Sequence, residues 1–587
     1  MRYSIVVLAI FLVTSLSSAA GATSDVGHVA LWRKANFAVR DACLSSGSAS
    51  YAKSKNRLDT LCRKHSVPSA DNAALTCFRN RAQQGDSAAE FALGSMVLVG
   101  NGVAADEFHA LGWFRKAAAH GHSGAQCELA AMYANGIGVR KDANVSAEWT
   151  RKSALQGDPA GQFQLAQDYT NAEGVPEDPK QAFSWRLKSA EQGFVKAQLE
   201  VAGDYSLGSG VAASDELAFH WYEKATEQNS AAAQFGTGRA YHFGYGVNKD
   251  LSQAANWYRK AAQQGNICAQ EGLATLYTAG KGVPEDFKQA FVWRKKAAEA
   301  DPYTNKFNPP PRCAFESQHA AQRWLAMMYR NGYGVAKNDH QGFHWLRLGL
   351  NDAKPEQVAH FIDAESTQWI KNGADANDVE AIKMLAAMYE NGWGLPQDTK
   401  AGVALTLRAA EQGDSEAQRD LATIYFGQDF AKSIFWSKKL VAQDEDDVEA
   451  NGLLEQMYRM GQGTVKDAAA AFGFARRSGP YVLGRDYHLG VGVVRDDRKA
   501  MELFEKAVEQ EDPRAACAIG SLYLDGQGIA VDKIQAYRWL IRGTGDNADP
   551  NCEAKLATLI KSLTAKDIAL TQSDSVATKP VSRKRER

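Results

Sequence analysis

Four features of the sequence carry residue types able to do chemistry. Ser50-Tyr51-Ala52-Lys53 sets a serine and a lysine one helical turn apart, the SxxK spacing of a nucleophile and its base in penicillin-recognising enzymes. His340 and His344 stand four residues apart, which places both on one helix face and suits two metal ligands, with His360 the nearest third candidate. Asn144-Val145-Ser146 is a glycosylation sequon. The stretch YANGIGVRKD, Tyr133 to Asp142, follows an apolar segment with two glycines, where exposed backbone N–H groups can cradle a phosphate.

The SxxK and two-glycine features lack what their chemistry needs, the histidine pair has no evident third ligand, and the sequon bears only on a eukaryotic secretory host. Hydrolysis requires a nucleophile, a base and an oxyanion site in mutual reach. The KTG and SDN partners of SxxK are absent from the sequence, as are GxSxG and HExxH. A nucleotide loop needs a third glycine, or Gly-Lys-Ser/Thr after a strand, and this turn has neither. The chain is therefore expected to be non-catalytic, with no cofactor and no metal.

The two-glycine turn is explained by its recurrence. YHFGYGVNKD runs from Tyr241, YTAGKGVPED from Tyr277, YENGWGLPQD from Tyr389 and YLDGQGIAVD from Tyr523. With Gly85 as position zero, the frame returns at Gly121, Gly157, Gly193, Asn229 and Gly265, a constant step of 36. It resumes near His319 and at Asn377 and Gly413, then less regularly at Asp446, Ala475 and Glu511. A fixed period of this size means stacked units. In the first half of a unit Ala, Leu and Tyr fall four residues apart, as Ala125, Leu129 and Tyr133 do, on one helical face. Glycine then suits the C-cap, where positive φ is required. An Asp such as Asp142 stands ready to cap a second helix, which carries Trp at position 28 and closes with Lys-Ala-Ala and Gln-Gly.

This pattern resembles the Sel-1-like repeats, relatives of the tetratricopeptide repeats, from residue 85 to about 545. The resemblance implies an all-α fold: a right-handed superhelical solenoid of about twelve helix-turn-helix repeats of 36 residues. It also implies an adaptor or scaffold role without choosing a ligand. Cysteine-rich members of the family are linked to β-lactam binding, but their regular cysteine pair per repeat is not seen here. A hydrolase or β-lactam-binding enzyme is thus the alternative of another class. Within the scaffold class the alternatives are envelope signalling and exopolysaccharide assembly.

The remaining chain bounds the setting. An apolar run from Ile5 to Leu16 follows Arg2, and Ala20-Gly21-Ala22 fits a signal-peptidase site. Residues 1–22 read as a secretory signal peptide, no later segment reads as a membrane span, and the mature chain is expected in the periplasm or outside the cell. Eight cysteines suit an oxidising compartment. Cys43, Cys62 and Cys77 fall in a helical N-terminal cap at 23–84. A net charge of -1 gives no electrostatic case for nucleic acid. The array is expected to run in two parts, 85–300 and 318–545. A Pro-rich insertion at 301–317 separates them, and an extra segment at 350–376, with one helix over 355–371, interrupts the second. A capping helix at 546–571 and a basic disordered tail at 572–587 close the chain.

By resemblance to tetratricopeptide arrays, the face of the first helix opposite Ala, Leu and Tyr lines the concave groove. Those positions give Phe235, Arg239 and His242, then Arg323, Met327 and Arg330, then Lys383, Arg419, Phe426, Arg459, Tyr481 and Arg485. Arginine forks suit carboxylates and aromatics supply contact area. The expectation is a protein or peptide partner of acidic character, with polysaccharide the other polymer that fits.

Overall fold

A computed structural model of the chain describes residues 78–564, apart from stretches within 101–104, 302–311, 351–361 and 545–549 and at 511. The expected signal peptide, most of the expected N-terminal cap with its three cysteines, and the basic tail lie outside the described residues, as do Ser50, Lys53 and His360. All the regular structure among the described residues is α-helical. It is an all-α solenoid of paired helices, the first of each repeat called A and the second B.

The Gly121 repeat shows why the sequence folds this way. Helix A, Ser123–Asn135, buries Ala125 and Leu129 and ends at Gly136, whose φ of 69° places its N–H against the Met132 carbonyl. The Asp142 N–H returns to the Tyr133 carbonyl at 2.9 Å and closes the turn. The Asp142 carboxylate then accepts from the N–H groups of Asn144 and Val145 at 3.0 and 3.1 Å, capping helix B, Ala143–Leu155. Such a cap stabilises a helix by about 1 kcal/mol, and Asp106, Asp178 and Asp286 repeat it. The second glycine answers to packing. A Cβ on Gly138 would lie 2.7 Å from the Glu107 carbonyl oxygen, because the turn presses on the first turn of the preceding helix B. The two-glycine segment is architecture.

A glutamine ladder joins neighbouring repeats, and a Lys–Trp stack recurs within helix B. The Gln126 amide donates to the Ala118 carbonyl of the previous helix B at 3.3 Å, and its oxygen accepts from Gln156 at 2.7 Å. Gln162 with Gln192, and Gln198 with Gln228, repeat the second bond at 2.7 and 3.1 Å. The closing Gln-Gly thus satisfies a buried amide, at about 1 kcal/mol per hydrogen bond. On helix B the Lys at position 31 stacks over the Trp at position 28. The separations are 4.2 Å for Lys116 and Trp113, 4.1 Å for Lys152 and Trp149, and 3.9 Å for Lys188 and Trp185.

The described residues divide into two compact units, one of 250–512 and one of 78–249 with 513–564. These limits differ from the breaks at 301–317 and 350–376. Within the second unit the first and last repeats pack together. Phe108 of the Gly85 repeat is buried in one cluster with Tyr537, Leu540, Leu556 and Leu559. Arg538 forms a buried ion pair with Asp106, and the Arg542 Nε donates to the Glu107 carboxylate at 2.8 Å.

Within the 250–512 unit, a 20-residue helix runs from Arg312 to Asn331, so helix starts inside the expected Pro-rich insertion, directly after its three prolines. Proline is tolerated at a helix start because the first N–H groups need no intrahelical partner. In the extra segment a helix runs over Ala364–Asp375, capped by Asp363 through the Ser366 N–H, while most of 351–361, where the expected helix would start, lies outside the described residues. The Gly413 repeat lacks the two-glycine turn. Its helix A, Ser415–Tyr425, stops at an extended Phe426 and leads into Phe430–Gln443. In the other unit the closing helix is Pro550–Ser562, inside the expected 546–571.

Candidate partner-binding face

Three candidate residues stand in the unit holding 78–249, on helix Ala231–Phe243. Phe235 is half-buried and Arg239 is exposed, its guanidinium 6.0 Å from the Phe235 ring. His242 stacks on Phe243 with centroids 4.4 Å apart and planes 7° apart, and Phe243 stacks in turn on Tyr245.

The other nine candidates stand in the 250–512 unit. On helix Arg312–Asn331, Arg323 donates to the Gly349 carbonyl at 2.8 Å. Arg330 donates to Glu365 at 2.5 Å and lies 4.9 Å over the Trp369 ring. Met327 is 42% exposed. Sequence reasoning missed its neighbour Trp324, 44% exposed, whose ring rests 4.3 Å above the buried Arg294 guanidinium. Arg294 is fixed by the Thr278 hydroxyl at 2.9 Å and by Glu271 at 3.4 Å, so a buried cation holds the exposed ring. Phe426 meets Phe430 edge to face, and Tyr481 lies 5.7 Å from Phe504.

The basic candidates that follow are engaged by carboxylates of their own or a neighbouring repeat. Lys383 contacts Glu380 at 2.7 Å, Glu416 at 2.9 Å and Asp414 at 3.1 Å. Arg347, from a helix B that the pattern did not select, binds Glu416 through two bonds of 2.8 and 2.9 Å and reaches Glu380 at 3.3 Å. Burial opposes ionisation of Glu380, but His344, Arg347 and Lys383 outweigh it and hold its carboxyl below the usual range. Arg419 pairs with Asp447 at 2.7 Å. Arg459 and Arg485 share the buried Glu455 at 2.8 and 2.6 Å. These forks are thus occupied internally.

Two carboxylates at the same face have a different balance. Burial pushes the Asp420 carboxyl up to about 7, aided by the negative charges of Glu416 and Glu390. Burial also raises Glu390. Both side chains are half-buried. Farther along, burial and the Glu455 charge push Asp486 up to about 6. The face is therefore richer in carboxylate than its row of arginines suggests. The signal was readable: Arg347 with Glu380, and Lys383 with Glu416, share a spacing of 33 residues.

The histidine pair is separated by its partners. His340 pairs with Asp378 at 3.0 Å and His344 with Glu380 at 3.4 Å. Among the described residues no group of three or more His, Cys, Asp or Glu is placed to hold a metal ion. No helix of the described residues is long and apolar enough to cross a membrane.

Paired helices at a 36-residue period, joined by capped turns and glutamine ladders, define a helical repeat solenoid with a charged A-helix face. The family model described as Sel1 repeat matches eleven segments: 87–122, 123–158, 159–194, 195–230, 231–266, 269–302, 319–351, 379–414, 452–479, 481–512 and 513–543. These cover more than half of the chain, and the chain belongs to the Sel1 repeat family. The helical pair at 415–443 falls outside the matched segments. Solved structures similar to this chain include a protective antigen of uropathogenic Escherichia coli displaying an SLR fold. It is 25% identical, with a TM-score of 0.42, over 85% of this chain and 93% of that one. Another is a Sel1 repeat protein from Oxalobacter formigenes, 26% identical with a TM-score of 0.40, over 62% of this chain and 92% of that one. Proteins built from Sel1 repeats are generally protein-interaction scaffolds, and the solenoid fold is typically non-catalytic.

Proposed function

We propose that this chain is an exported, non-catalytic scaffold that holds a protein partner on the A-helix face of residues 379–460, with a basic segment of that partner at Glu390 and Asp420. The observation that carries the reading is the charge balance of the face. Arg419, Arg459 and Arg485 already hold carboxylates, whereas Asp420 and Glu390 are raised carboxyls that a Lys or Arg side chain would stabilise in the ionised form. An acidic segment would have to displace internal carboxylates to reach the arginine forks. A basic one meets the charges of Arg347 and Arg419, which Glu416 and Asp447 already pair. The exposed Trp324 and Met327 add apolar contact area on helix Arg312–Asn331. Export is supported by the apolar N-terminal run before Ala20-Gly21-Ala22 and by the disulfide-bonded state of Cys127 and Cys268.

Binding of labelled Lys/Arg-rich and Asp/Glu-rich peptides, followed by fluorescence anisotropy, tests the partner chemistry. The basic peptide binds more tightly than the acidic one. Its affinity rises from pH 6 to pH 8, as Asp420 loses its proton, and falls in Glu390→Gln/Asp420→Asn. Preference for the acidic peptide, lost on Arg419→Glu, overturns the reading in favour of the arginine row.

A further inference from the structure

We infer that the basic residue taken up at Glu390 and Asp420 is arginine rather than lysine, its guanidinium filling the place that Arg186 and Arg294 fill from within their own repeats. The inference rests on the binding reading above and narrows it to one side chain. Three positions of the repeat converge between neighbours. One follows the Tyr of helix A, one lies seventeen residues beyond that Tyr on helix B, and one stands five residues before the Tyr of the next helix A. After Tyr169 they are Thr170, Arg186 and Glu200. Arg186 donates to the Thr170 hydroxyl at 3.0 Å and contacts the Glu200 carboxylate at 3.0 Å. After Tyr277 they are Thr278, Arg294 and Trp324, with Arg294 2.9 Å from the Thr278 hydroxyl and 4.3 Å from the Trp324 ring. The same contact recurs with tyrosine on helix B. A Cβ on Gly236 would lie 2.5 Å from the Tyr222 ring, and one on Gly272 3.1 Å from the Tyr258 ring.

After Tyr389 the same positions are Glu390, Thr406 and Asp420. Two carboxylates flank the guanidinium position, and threonine stands where the arginine would. The Thr406 hydroxyl donates to the Gly402 carbonyl at 3.2 Å and so stays with its own helix. Among the described residues no hydrogen bond or salt bridge reaches the Glu390 or Asp420 carboxylate. The Glu390 charge acts on Asp420, so the two carboxyls face one locus. Gly402 adds room there. It stands where the two arginine repeats carry Ala182 and Ala290, and a Cβ on it would lie 2.5 Å from the Glu390 Cγ. Glu390 therefore lies over helix Thr399–Glu411, one turn before Thr406. Arg347 and Arg419 also bear on Asp420. Each is held elsewhere, Arg347 by Glu416 and Glu380 and Arg419 by Asp447.

The geometry favours one cation over the other. A guanidinium carries its N–H donors in a planar fork and can bond carboxylates on two sides at once. A lysine ammonium is a compact, strongly hydrated point charge, so it gives up more hydration for bonds of less fixed direction. Both carboxyls are half-buried, which leaves part of each toward solvent, and the incoming side chain reaches them from the face rather than through the core. Once seated, the guanidinium holds Glu390 and Asp420 ionised, as Arg347 and Lys383 hold Glu380.

The test titrates the full chain at pH 8 into two fluorescent peptides of equal length and charge, one with arginine and one with lysine as its basic residue. The arginine peptide binds about tenfold more tightly, the worth of one further charge-assisted hydrogen bond. The preference disappears in Glu390→Gln/Asp420→Asn. It disappears as well in Thr406→Arg, which supplies the guanidinium from within the repeat and raises the urea midpoint at pH 8. Equal affinity for the two peptides, with both lost in the carboxylate variant, overturns the arginine inference and leaves the basic-partner reading in place. Binding of neither peptide overturns both. Where Thr406→Arg folds poorly, the wild-type comparison of the two peptides decides.

Discussion

Asp168 stands where a repeating ion pair has lost its cation. One repeat later, the equivalent Asp204 is bonded at 2.5 Å by Arg186, which also contacts Glu200 at 3.0 Å. At the earlier interface Thr150 occupies the arginine position and Gln164 that of Glu200. Asp168 is buried; the Gln164 amide donates to its Oδ1 at 3.1 Å, while the neighbouring Thr150 hydroxyl donates to the Ser146 carbonyl. Burial outweighs these polar neighbours and, with the Glu173 charge, pushes its carboxyl from 3.8 to about 7. At about 1.4 kcal/mol for each unit of pKa, that displacement costs the folded state about 4 kcal/mol above pH 7. The sign follows from proton counting. Between pH 4 and pH 7 the folded form holds the proton that the unfolded form has lost, so stability falls as pH rises through that window and then levels. Asp168→Asn removes this dependence. Urea unfolding followed by tryptophan fluorescence at pH 5, 6, 7 and 8 should show the variant gaining on the wild type up to pH 7, with a higher midpoint at pH 8. Parallel pH profiles for the two proteins would refute the reasoning.

Other consequences are read from single variants. Ala172 adopts a φ of 57° where most repeats have the first turn glycine, so Ala172→Gly should stabilise the chain by about 1 kcal/mol in the same urea assay. Gly138→Ala should destabilise it, by about 1–3 kcal/mol, because the new Cβ meets the Glu107 carbonyl at 2.7 Å and φ is 64°. Arg538→Ala leaves Asp106 buried without its guanidinium. A loss of about 3–5 kcal/mol is expected, read as faster hydrogen exchange in both 107–119 and 533–543. Exchange that rises in 533–543 alone would show that the first and last repeats are not coupled.

Much of the fold was legible because a repeat states its rule many times. One Ala-Leu-Tyr face is weak evidence for a helix. The same face in register at Tyr133, Tyr169, Tyr205 and Tyr241 fixes the period, and the Asp142-type cap fixes where helix B starts. Boundaries were less legible where the rule lapses. Within the expected 355–371 a helix runs from Ala364, where Asp363 rather than the apolar pattern sets its start, while 355–357 and 359–361 lie outside the described residues. The pairing of the face was hidden for a different reason. Selecting one side of helix A gathers Arg419 and Arg485 but discards Asp447 and Glu455, which reach the same surface from neighbouring positions. Trp324 was missed because the position that exposes it is set by Arg294, contributed by the preceding helix B. The meeting of Phe108 with Tyr537 and Leu540 joins residues more than 400 apart in sequence, which no local period encodes.

The most direct test is capture of partners from the native extracytoplasmic fraction, with the wild-type chain run beside Glu390→Gln/Asp420→Asn and beside Arg419→Glu/Arg485→Glu. The account predicts a protein with a basic segment that is retained by the wild type, lost by the carboxylate variant, and released as the pH falls from 8 to 6. Equal recovery on wild type and carboxylate variant, or loss confined to the arginine variant, would contradict it.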